Sequence, residues 1–479
     1  MFFFLLIYEI IGDPIGIQPP LVKGNIPFIG AGLDFVKNPK KFLNEQRKIH
    51  GDVFLLHAFG VKLFFVFSKK GLIEFYKIAE QDASFTEATR GFLGYKVPEE
   101  ILSGTMKTVL LVLKSQKQFT SSFDKTIEKE INNLGKKKKF IKFEKLKKNF
   151  FEDESGTFEI FSFLKNIVHK VGFNYWIGEE TNRPEIFEGL VSNFNCIDPE
   201  QGFKDMSSLF GSILNKRKKE REALHNWVKI IEKIMEERKK KNIQKSDFLE
   251  ALLEQYKDLP HEKQYLQSTI DILVLHMASQ SNLYAAISWT LVNLLLYPSY
   301  LQRVREKIKE LKEKYDNWFS EASLKEMELL DQCFNESTRI AQQSLTLRLV
   351  LNPIEIEQYK IVPGYYIATL LSCLNTDDSI LPNASKFSPE EHYENGKIKG
   401  FVEGADFSVS SFGFGVHSCP GKKFATIANK IILSHIIDKL DLTPQYTDPK
   451  IIETQMGAVG RTVDPCTVKY KKIDSKKHN

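Results

Sequence analysis

The sequence lacks the cysteine patterns that mark disulfide-rich and zinc-binding proteins. Its 479 residues include five cysteines, Cys196, Cys333, Cys373, Cys419 and Cys466, which are far apart and form no Cys-x-x-Cys pair. Disulfide frameworks and zinc sites usually need an even number or a close spacing of cysteines, so neither is predicted. The cysteine usage indicates a reducing compartment.

Strong net charge, flexible linkers and internal repeats are also missing. The 67 Lys and Arg are interleaved with 61 Asp and Glu, for a net charge of +6, so nucleic acid is not predicted as a partner. No Gly/Ser-rich segment divides the chain, and no repeat of 20–50 residues is found. With 42% hydrophobic and 27% charged residues, the composition is that of a globular protein, and one large domain is predicted.

No hydrophobic run is long enough to predict a spanning helix. The first eleven residues, MFFFLLIYEII, are apolar but include Glu9 and stop before Gly12, short of the roughly 20 residues that a spanning helix needs. No basic residue precedes them and no small-residue cleavage site follows, so a secretory signal is not predicted either. A buried strand, a monotopic membrane contact and the remnant of a longer anchor stay open. We expect an apolar, Pro-rich entry segment at 1–23 and the main domain at 24–479.

Residues 136–148, KKKKFIKFEKLKK, form the strongest run of one charge. Such a run is usually a solvated helix or loop, and this is the interpretation we favour. Contact with an anionic membrane surface is the alternative.

Hydrophobic periodicity predicts a mainly α protein with a small β region. Apolar residues recur at spacings of three and four from about residue 70 to residue 330, as in amphipathic helices. After residue 345, apolar and polar residues instead alternate in short runs, as in strands. The specific elements predicted are, in chain order, a helix at 35–50, a hairpin of strands 53–58 and 61–67, helices at 266–296 and 301–314, strands at 345–351 and 358–367, an irregular loop at 375–393 and a helix at 424–440.

Residues 411–423 read SFGFGVHSCPGKK and combine residue types that suit a haem-binding loop. A cysteine just ahead of a helix has its thiolate stabilised by backbone N–H groups and by the helix N-terminus, so we expect a lowered pKa and iron binding at Cys419. Gly415 and Gly421 would let the backbone turn tightly against a flat porphyrin. Phe412 would shield the sulfur from water, and His417 would meet a propionate. The alternative for such a cysteine alone is a buried structural thiol.

The spacing of these five positions within ten residues resembles the cysteine loop of the cytochrome P450 superfamily. That family usually has Arg where this chain has His417, and its sterol 14α-demethylases have His. The resemblance implies a cytochrome P450 fold in a single large domain, haem b as the cofactor, and Cys419 as the axial ligand of its iron.

A second motif lies about 80 residues upstream, where Glu336-Ser337-Thr338-Arg339 matches the family's ExxR. At positions i and i+3 of a helix, the carboxylate and the guanidinium share one face. By resemblance, Glu336 and Arg339 form a structural network with a residue of the segment 387–393. The family commonly supplies Arg there, whereas this chain offers Glu391 or His392.

Arg348 lies nine residues after Arg339 within an apolar strand, LTLRLVL. A lone charge there is costly unless it is paired, and a haem propionate is the partner we predict. A surface arginine at the edge of a strand is the alternative.

The third motif lies in the predicted helix 266–296, where residues 278–289 read ASQSNLYAAISW. Most members of the superfamily have an acid-Thr pair here that delivers protons, whereas this chain has Ser281 and Asn282. The pattern resembles the cholesterol 7α-hydroxylase and prostacyclin synthase branch. The resemblance implies that Ala278, Ser281 and Asn282 lie closest to the reacting oxygen. The alternative is that Gln280 and Asn282 merely form hydrogen bonds across a kink in the helix.

The resemblance implies a haem-thiolate monooxygenase that oxidises an apolar substrate, expected to be a sterol or another lipid, with O2. Because no GxGxxG nucleotide-binding motif is present, electrons would come from a separate NADPH-dependent flavoprotein reductase, docked near Lys422 and Lys423. The cytoplasmic face of the endoplasmic reticulum membrane is the expected location. Two alternatives stay open: an isomerase that rearranges a lipid peroxide without reductase, and a non-enzymatic haem-binding protein.

Overall fold

A computed structural model describes residues 17–24, 26–27, 29–88, 155–197, 217–243, 245, 247–394, 397–399, 411–414 and 418–473. The apolar segment 1–11, the charge run 136–148, Gly415 and His417 lie outside the described residues.

The described residues form a mainly α structure with a small β region, which confirms the predicted fold class. The helices are α1 Gly32–Lys37, α2 Pro39–His50, α3 Lys69–Lys77, α4 Ile160–Trp176, α5 Pro184–Ile197, α6 Lys218–Lys240, α7 Phe248–Gln255, α8 His261–Leu296, α9 Pro298–Lys314, α10 Glu321–Lys325, α11 Glu328–Ala341, α12 Leu371–Asn375, α13 Pro389–His392 and α14 Lys422–Lys439. The strands are β1 Leu21–Val22, β2 Val53–Ala58, β3 Val61–Val66, β4 Ala83–Ser84, β5 Ser155–Glu159, β6 Leu345–Val350, β7 Ile354–Ile356, β8 Tyr359–Ile361, β9 Tyr366–Leu370, β10 Tyr393–Glu394, β11 Lys397–Ile398, β12 Leu440–Pro444 and β13 Thr467–Lys472.

Helix α8 runs through the helical core and packs against α4, α6, α7, α11 and α14. It has 36 residues and begins at His261, directly after Pro260, five residues before the predicted start. Its predicted end at Leu296 is confirmed. Tyr297 precedes a proline and is therefore disfavoured in the helical region, while Pro298 takes the first position of α9.

The prediction of one helix over 35–50 was wrong, because the structure breaks it at Asn38. Asn38 adopts φ −154° and ψ 87°, as expected for a residue before proline, and Pro39 opens α2. The side-chain oxygen of Asn38 accepts the N–H of Lys41 at 3.0 Å and so caps the new helix.

A six-stranded sheet in the order β1-β2-β3-β9-β6-β4 covers a second hydrophobic core. The predicted hairpin is confirmed as the antiparallel pair β2–β3. The single strand predicted at 358–367 was wrong: β8 ends at Ile361 and β9 begins at Tyr366. Pro363 and Gly364 lie between them, and Gly364 has φ +90°, a turn conformation that glycine adopts readily.

A three-stranded sheet, β12-β13-β5, joins the C-terminal part of the chain to the start of α4. The irregular loop predicted at 375–393 is confirmed for most of its length, with only the short helix α13 near its end. Within the described ranges, none of the helices has the length and apolar character needed to cross a membrane.

Candidate haem-binding site

Cys419 lies at the end of the cysteine loop, by which we mean residues 411–421. Its backbone N–H donates to the carbonyl oxygen of Phe412 at 2.6 Å, and its own carbonyl accepts the N–H of Lys422 at 3.3 Å, where α14 begins. Cys419 is exposed, whereas Cys333, Cys373 and Cys466 are buried. The thiol ahead of α14 is therefore open to a ligand.

The pKa of the Cys419 thiol is raised, contrary to the predicted lowering. Partial burial of the thiol has the largest effect and raises the pKa, while the N–H groups of Gly421 and Lys422 and the charge of Lys422 lower it. The helix N-terminus thus acts in the predicted direction but is outweighed by desolvation. A thiol that coordinates a metal is deprotonated by the metal itself, so iron binding does not depend on a low pKa in the free protein.

Phe412 packs between two helices at the base of this loop. Its ring centroid lies 6.1 Å from that of Phe334 on α11, and Lys422 Nζ lies 5.9 Å from the Phe412 ring. The predicted tight turn is present at Gly421, which has φ −83° and ψ 0° and lies within the turn closed by the hydrogen bond from the Lys422 N–H to the Cys419 carbonyl. A Cβ at Gly421 would lie 3.6 Å from the Cys419 sulfur, so the missing side chain leaves space beside the sulfur.

Glu336 and Arg339 form a buried ion pair within α11, and neither has exposed surface. Arg339 Nη2 and Nε donate to the two carboxylate oxygens of Glu336 at 2.7 and 2.8 Å. Arg339 Nη1 also donates to the carbonyl oxygens of Asn375 and, at 2.6 Å, of Ala384. The pair therefore holds the irregular loop that follows α12.

His392 completes this network from α13. Its Nδ1 lies 2.7 Å from Glu336 Oε1, and its Nε2 lies 2.8 Å from the carbonyl oxygen of Pro382. Burial alone would lower the pKa of His392, but the hydrogen bond to Glu336 and the charge of Glu336 outweigh it and raise the pKa. Glu391, the other predicted candidate, instead accepts the side-chain amide of Asn383 at 3.3 Å.

Arg348 is buried in β6, with 1% of its surface exposed, so the alternative of a surface arginine was wrong. Its Nη1 donates to the carbonyl of Phe75 at 2.8 Å and its Nη2 to that of Ile78 at 2.7 Å. These carbonyls end α3, and the guanidinium therefore caps that helix. Arg348 Nε has no hydrogen-bond partner in the described part of the chain, so this nitrogen is the one that fits a propionate.

The three residues predicted to face the reacting oxygen, Ala278, Ser281 and Asn282, lie together on α8. Asn282 Oδ1 accepts the N–H of Val459 at 3.0 Å, and Asn282 Nδ2 donates to the carbonyl of Ala278 at 3.4 Å. The second of these hydrogen bonds lies within α8. Gln280 faces another neighbour and donates to the carbonyl of Lys165 on α4 at 3.1 Å.

The sequence reasoning missed the segment 457–461, which lies against α8. Tyr284 and Trp289 both contact it, Tyr284 through Arg461 and Trp289 through Gly460. Both aromatic residues belong to the motif ASQSNLYAAISW, but no periodicity links them to a segment more than 170 residues away.

Also missed was a buried histidine pair between α4 and α8. His169 Nδ1 lies 3.0 Å from His276 Nε2, and the rings pack against Phe173, Phe194 and Trp227. Burial lowers the pKa of His276 to about 3, and burial together with the charge interaction with His276 lowers that of His169. The two histidines are 107 positions apart in the chain, so no local sequence signal links them.

A family model described as Cytochrome P450 matches residues 19–470. Among curated proteins, the chain is similar to a 24-hydroxycholesterol 7-alpha-hydroxylase of Homo sapiens, with 24% identity over 490 residues, covering 95% of this chain and 94% of the relative. It is also similar to a sterol 14-demethylase of Arabidopsis thaliana, with 25% identity over 470 residues, covering 95% of this chain and 91% of the relative.

The residues present fit the prosthetic group of that family, which is haem bound through a cysteine thiolate. A soft sulfur ligand is exposed at Cys419, Gly421 leaves space beside it, and Arg348 Nε is a buried donor without a partner among the described residues. With a family model that covers most of its length, the chain belongs to the cytochrome P450 family.

Proposed function

We propose that this protein is a haem-thiolate monooxygenase that inserts one oxygen atom of O2 into a sterol or a related apolar lipid. The observation that carries the proposal is the similarity, over more than nine-tenths of both chains, to a 24-hydroxycholesterol 7-alpha-hydroxylase and a sterol 14-demethylase. These relatives are named hydroxylase and demethylase, so a peroxide isomerase and a non-enzymatic haem binder are not favoured.

Each site residue has a task that its surroundings support. Haem supplies the oxygen chemistry, and a thiolate ligand favours cleavage of the O–O bond. Cys419 would hold the iron, with Phe412 and Gly421 beside the sulfur. The unpartnered Nε of Arg348 would donate to one propionate. On the other side, Ala278 and Ser281 of α8 would border the substrate.

Electrons would reach the haem from a separate NADPH-dependent flavoprotein reductase. Lys422 and Lys423 are exposed at the start of α14, within four residues of Cys419, and give the surface nearest the sulfur a positive charge. A basic surface attracts an acidic partner and raises the association rate at low salt. We infer that the reductase docks on this face.

We also propose that the protein works at the cytoplasmic face of the endoplasmic reticulum membrane. Ile17 and Leu33, near the start of the described chain, have 64% and 54% of their surface exposed. The apolar segment 1–11 precedes them in the sequence. An interfacial contact through this end of the chain would bring the protein to the lipid bilayer, in which sterols dissolve.

The test begins with the difference spectrum of the reduced protein with and without carbon monoxide. The red-shifted Soret band of a thiolate-ligated haem is expected for the wild type and should be lost in Cys419→Ala. Cys196→Ala, which removes the other exposed cysteine, is the matched control and should keep the band. Folded wild-type protein without haem would contradict the proposal.

Sterols are then added to the ferric protein, and turnover is measured with and without reductase and NADPH. A sterol-induced change in the Soret band, followed by a product that is 16 mass units heavier only when reductase is present, is expected. Turnover of a lipid peroxide without reductase would favour the isomerase instead.

A further inference from the structure

Residues 457–461, which we call the 457–461 loop, are fastened to α8 by three side chains. The first two contacts join Asn282 Oδ1 to the N–H of Val459 at 3.0 Å and the hydroxyl of Tyr284 to Arg461 Nε at 2.6 Å. In the third, Trp289 Nε1 donates to the carbonyl oxygen of Gly460 at 2.7 Å. Val459, Trp289 and Arg461 are buried, with 2%, 4% and 5% of their surfaces exposed.

The same loop is bonded to the end of α11. The N–H of Gly460 donates to the carbonyl oxygen of Ala341 at 2.7 Å, and the N–H of Gln343 donates to that of Ala458 at 3.1 Å. Gln342, which forms a β-bridge with Val459, also donates through its side-chain Nε2 to the carbonyl of Ser411 at 3.0 Å. Ser411 begins the cysteine loop, so hydrogen bonds run from α8 through the 457–461 loop to that loop.

The backbone of the 457–461 loop packs closely against its neighbours at Gly460. A Cβ added at Gly460 would lie 2.4 Å from Ile451 Cγ2, 2.9 Å from Gln343 Cγ and 3.1 Å from the carbonyl oxygen of Ala341. These distances are below normal contact, so a side chain would not fit without movement of its neighbours, and the backbone lies directly on the end of α11. The loop therefore contacts both the end of α11 and α8.

Both polar ends of the Asn282 side chain are engaged in this arrangement. Oδ1 accepts from Val459, and Nδ2 donates to Ala278 within the same helix. The N–H of Val459 has no acceptor other than Asn282 in the described part of the protein. A carboxamide has no proton that titrates near neutral pH, so Asn282 is also chemically unsuited to act as a proton donor.

We propose that Asn282 is a positioning residue that sets the distance between α8 and the cysteine loop through Val459, Gln342 and Ser411. With haem held by Cys419, Asn282 would fix the placement of α8 relative to the loop that carries the iron ligand and would not supply protons to the reaction. The inference rests on the proposed function only in placing haem at Cys419.

Three variants of the haem-loaded protein separate positioning from proton delivery. Asn282→Leu keeps the size of the side chain but removes both hydrogen bonds. Asn282→Asp keeps an acceptor for the Val459 N–H. Gln280→Leu is the matched control, because the amide of Gln280 bonds to Lys165 on α4 and not to the 457–461 loop. If Asn282→Leu does not fold, Asn282→Ser replaces it, since serine is too short to reach Val459.

The first readout is hydrogen exchange at the Val459 amide, which is measured in the ferric protein. We expect exchange at least tenfold faster in Asn282→Leu and close to the wild-type rate in Asn282→Asp and Gln280→Leu. The second readout is the rate at which haem passes to an excess of apomyoglobin, which should rise several-fold in Asn282→Leu alone among these variants.

Wild-type exchange and haem retention in Asn282→Leu, together with a fall in kcat and more release of hydrogen peroxide, would overturn the proposal in favour of proton delivery. Neither the exchange nor the haem-transfer measurement needs a substrate or a reductase. Absence of monooxygenase activity in the wild type would thus contradict the proposed function while leaving these two results to decide the role of Asn282.

Discussion

A single imidazole, that of His392, joins the buried pair of Glu336 and Arg339. Both of its nitrogens face acceptors, the carboxylate of Glu336 at 2.7 Å and the carbonyl of Pro382 at 2.8 Å. Only the doubly protonated ring can donate to both, which agrees with the raised pKa of His392. Arginine keeps its charge at every accessible pH, whereas this histidine loses its charge once the pH rises above its raised pKa.

The first prediction concerns the pH dependence of stability at this residue. Because the pKa of His392 is higher in the folded protein than its ordinary value of 6.5, its contribution is complete below about pH 6.5 and is lost as the pH rises through the folded pKa. A charge-assisted hydrogen bond contributes about 1.5–3 kcal/mol. Urea unfolding from pH 6 to pH 9.5 should therefore show a decrease in the free energy of unfolding that is absent in His392→Arg.

His392→Gln is the control for that measurement, because glutamine is neutral at every pH. It should be less stable than the wild type at pH 6 and close to it at pH 9.5. Identical profiles for the wild type and His392→Arg between pH 6 and pH 9.5 would contradict a loss of stabilising charge at His392 in this range.

At the level of single residues, the sequence predicted the chemistry better than the geometry. Cys419, Glu336, Arg339 and His392 could be named because their types and spacings are specific. The raised pKa of the Cys419 thiol could not be predicted, because desolvation depends on what packs around the sulfur. The carbonyl partners of Arg348 belong to a helix about 270 residues earlier, which no local pattern indicates.

At the scale of secondary-structure elements, His169 and His276 form a buried pair where α4 packs against α8. His169 Nε2 and His276 Nδ1 have no hydrogen-bond partner among the residues that the structure describes. With one hydrogen bond between two neutral rings, one donor and one acceptor stay unsatisfied, at a cost of about 1–3 kcal/mol each. The aromatic rings around them favour the neutral forms.

The second prediction follows from the lowered pKa of both rings. The unfolded chain takes up protons below about pH 6.5, while His276 in the folded protein stays neutral down to about pH 3, so stability falls as the pH drops below 6.5. Replacing both residues with apolar ones of similar size, as in His169→Leu with His276→Phe, should reduce this acid sensitivity. Thermal unfolding at pH 5 and pH 7.5 compares the slopes.

The double variant should also be at least as stable as the wild type at pH 7.5, because it removes two unsatisfied groups. His276→Leu alone is the control, since it leaves His169 without the hydrogen-bond partner that it has among the described residues and should be less stable than the double variant. An unchanged loss of stability between pH 7.5 and pH 5 in the double variant would contradict the prediction.

Helix boundaries were predictable where proline acts locally. The end of α8 before Pro298 was correct, and the break at Asn38 could have been found from the proline that follows it. The split between β8 and β9 was missed, although Pro363 and Gly364 in the sequence mark a turn there. What sequence could not give was the pairing of β9 with β3 and β6, which depends on tertiary contacts.

For the whole molecule, the class of fold followed from hydrophobic periodicity, while the division into two hydrophobic cores did not. The helical core surrounds α8, and the second core lies under the six-stranded sheet. The cysteine loop contacts both, through Phe412 against Phe334 on the helical side and Phe414 against Tyr76 on the other. Such a position links the two cores at the site of the prosthetic group.

The third prediction concerns the stability of the whole protein with and without haem. A ligand that binds only the folded state stabilises it by RT ln(1 + [L]/Kd), about 2.7 kcal/mol when the ligand concentration is 100 times Kd. The haem-loaded wild type should therefore have a higher Tm than the haem-free protein, measured by calorimetry. Cys419→Ala should show the haem-free Tm even in the presence of haem, and an equal increase in that variant would contradict thiolate binding.

The order of these contacts along the chain also determines when the site can form during synthesis. Glu336, Arg339 and His392 all precede Cys419, so their network can close before the iron ligand leaves the ribosome. The 457–461 loop and β13, which pairs with β5 from much earlier in the chain, both follow Cys419 in the sequence. Since proteins are made from the N-terminus, the tie to α8 forms only after the iron ligand has been synthesised. Stable capture of haem is therefore expected to follow the synthesis of this loop and not that of Cys419 alone.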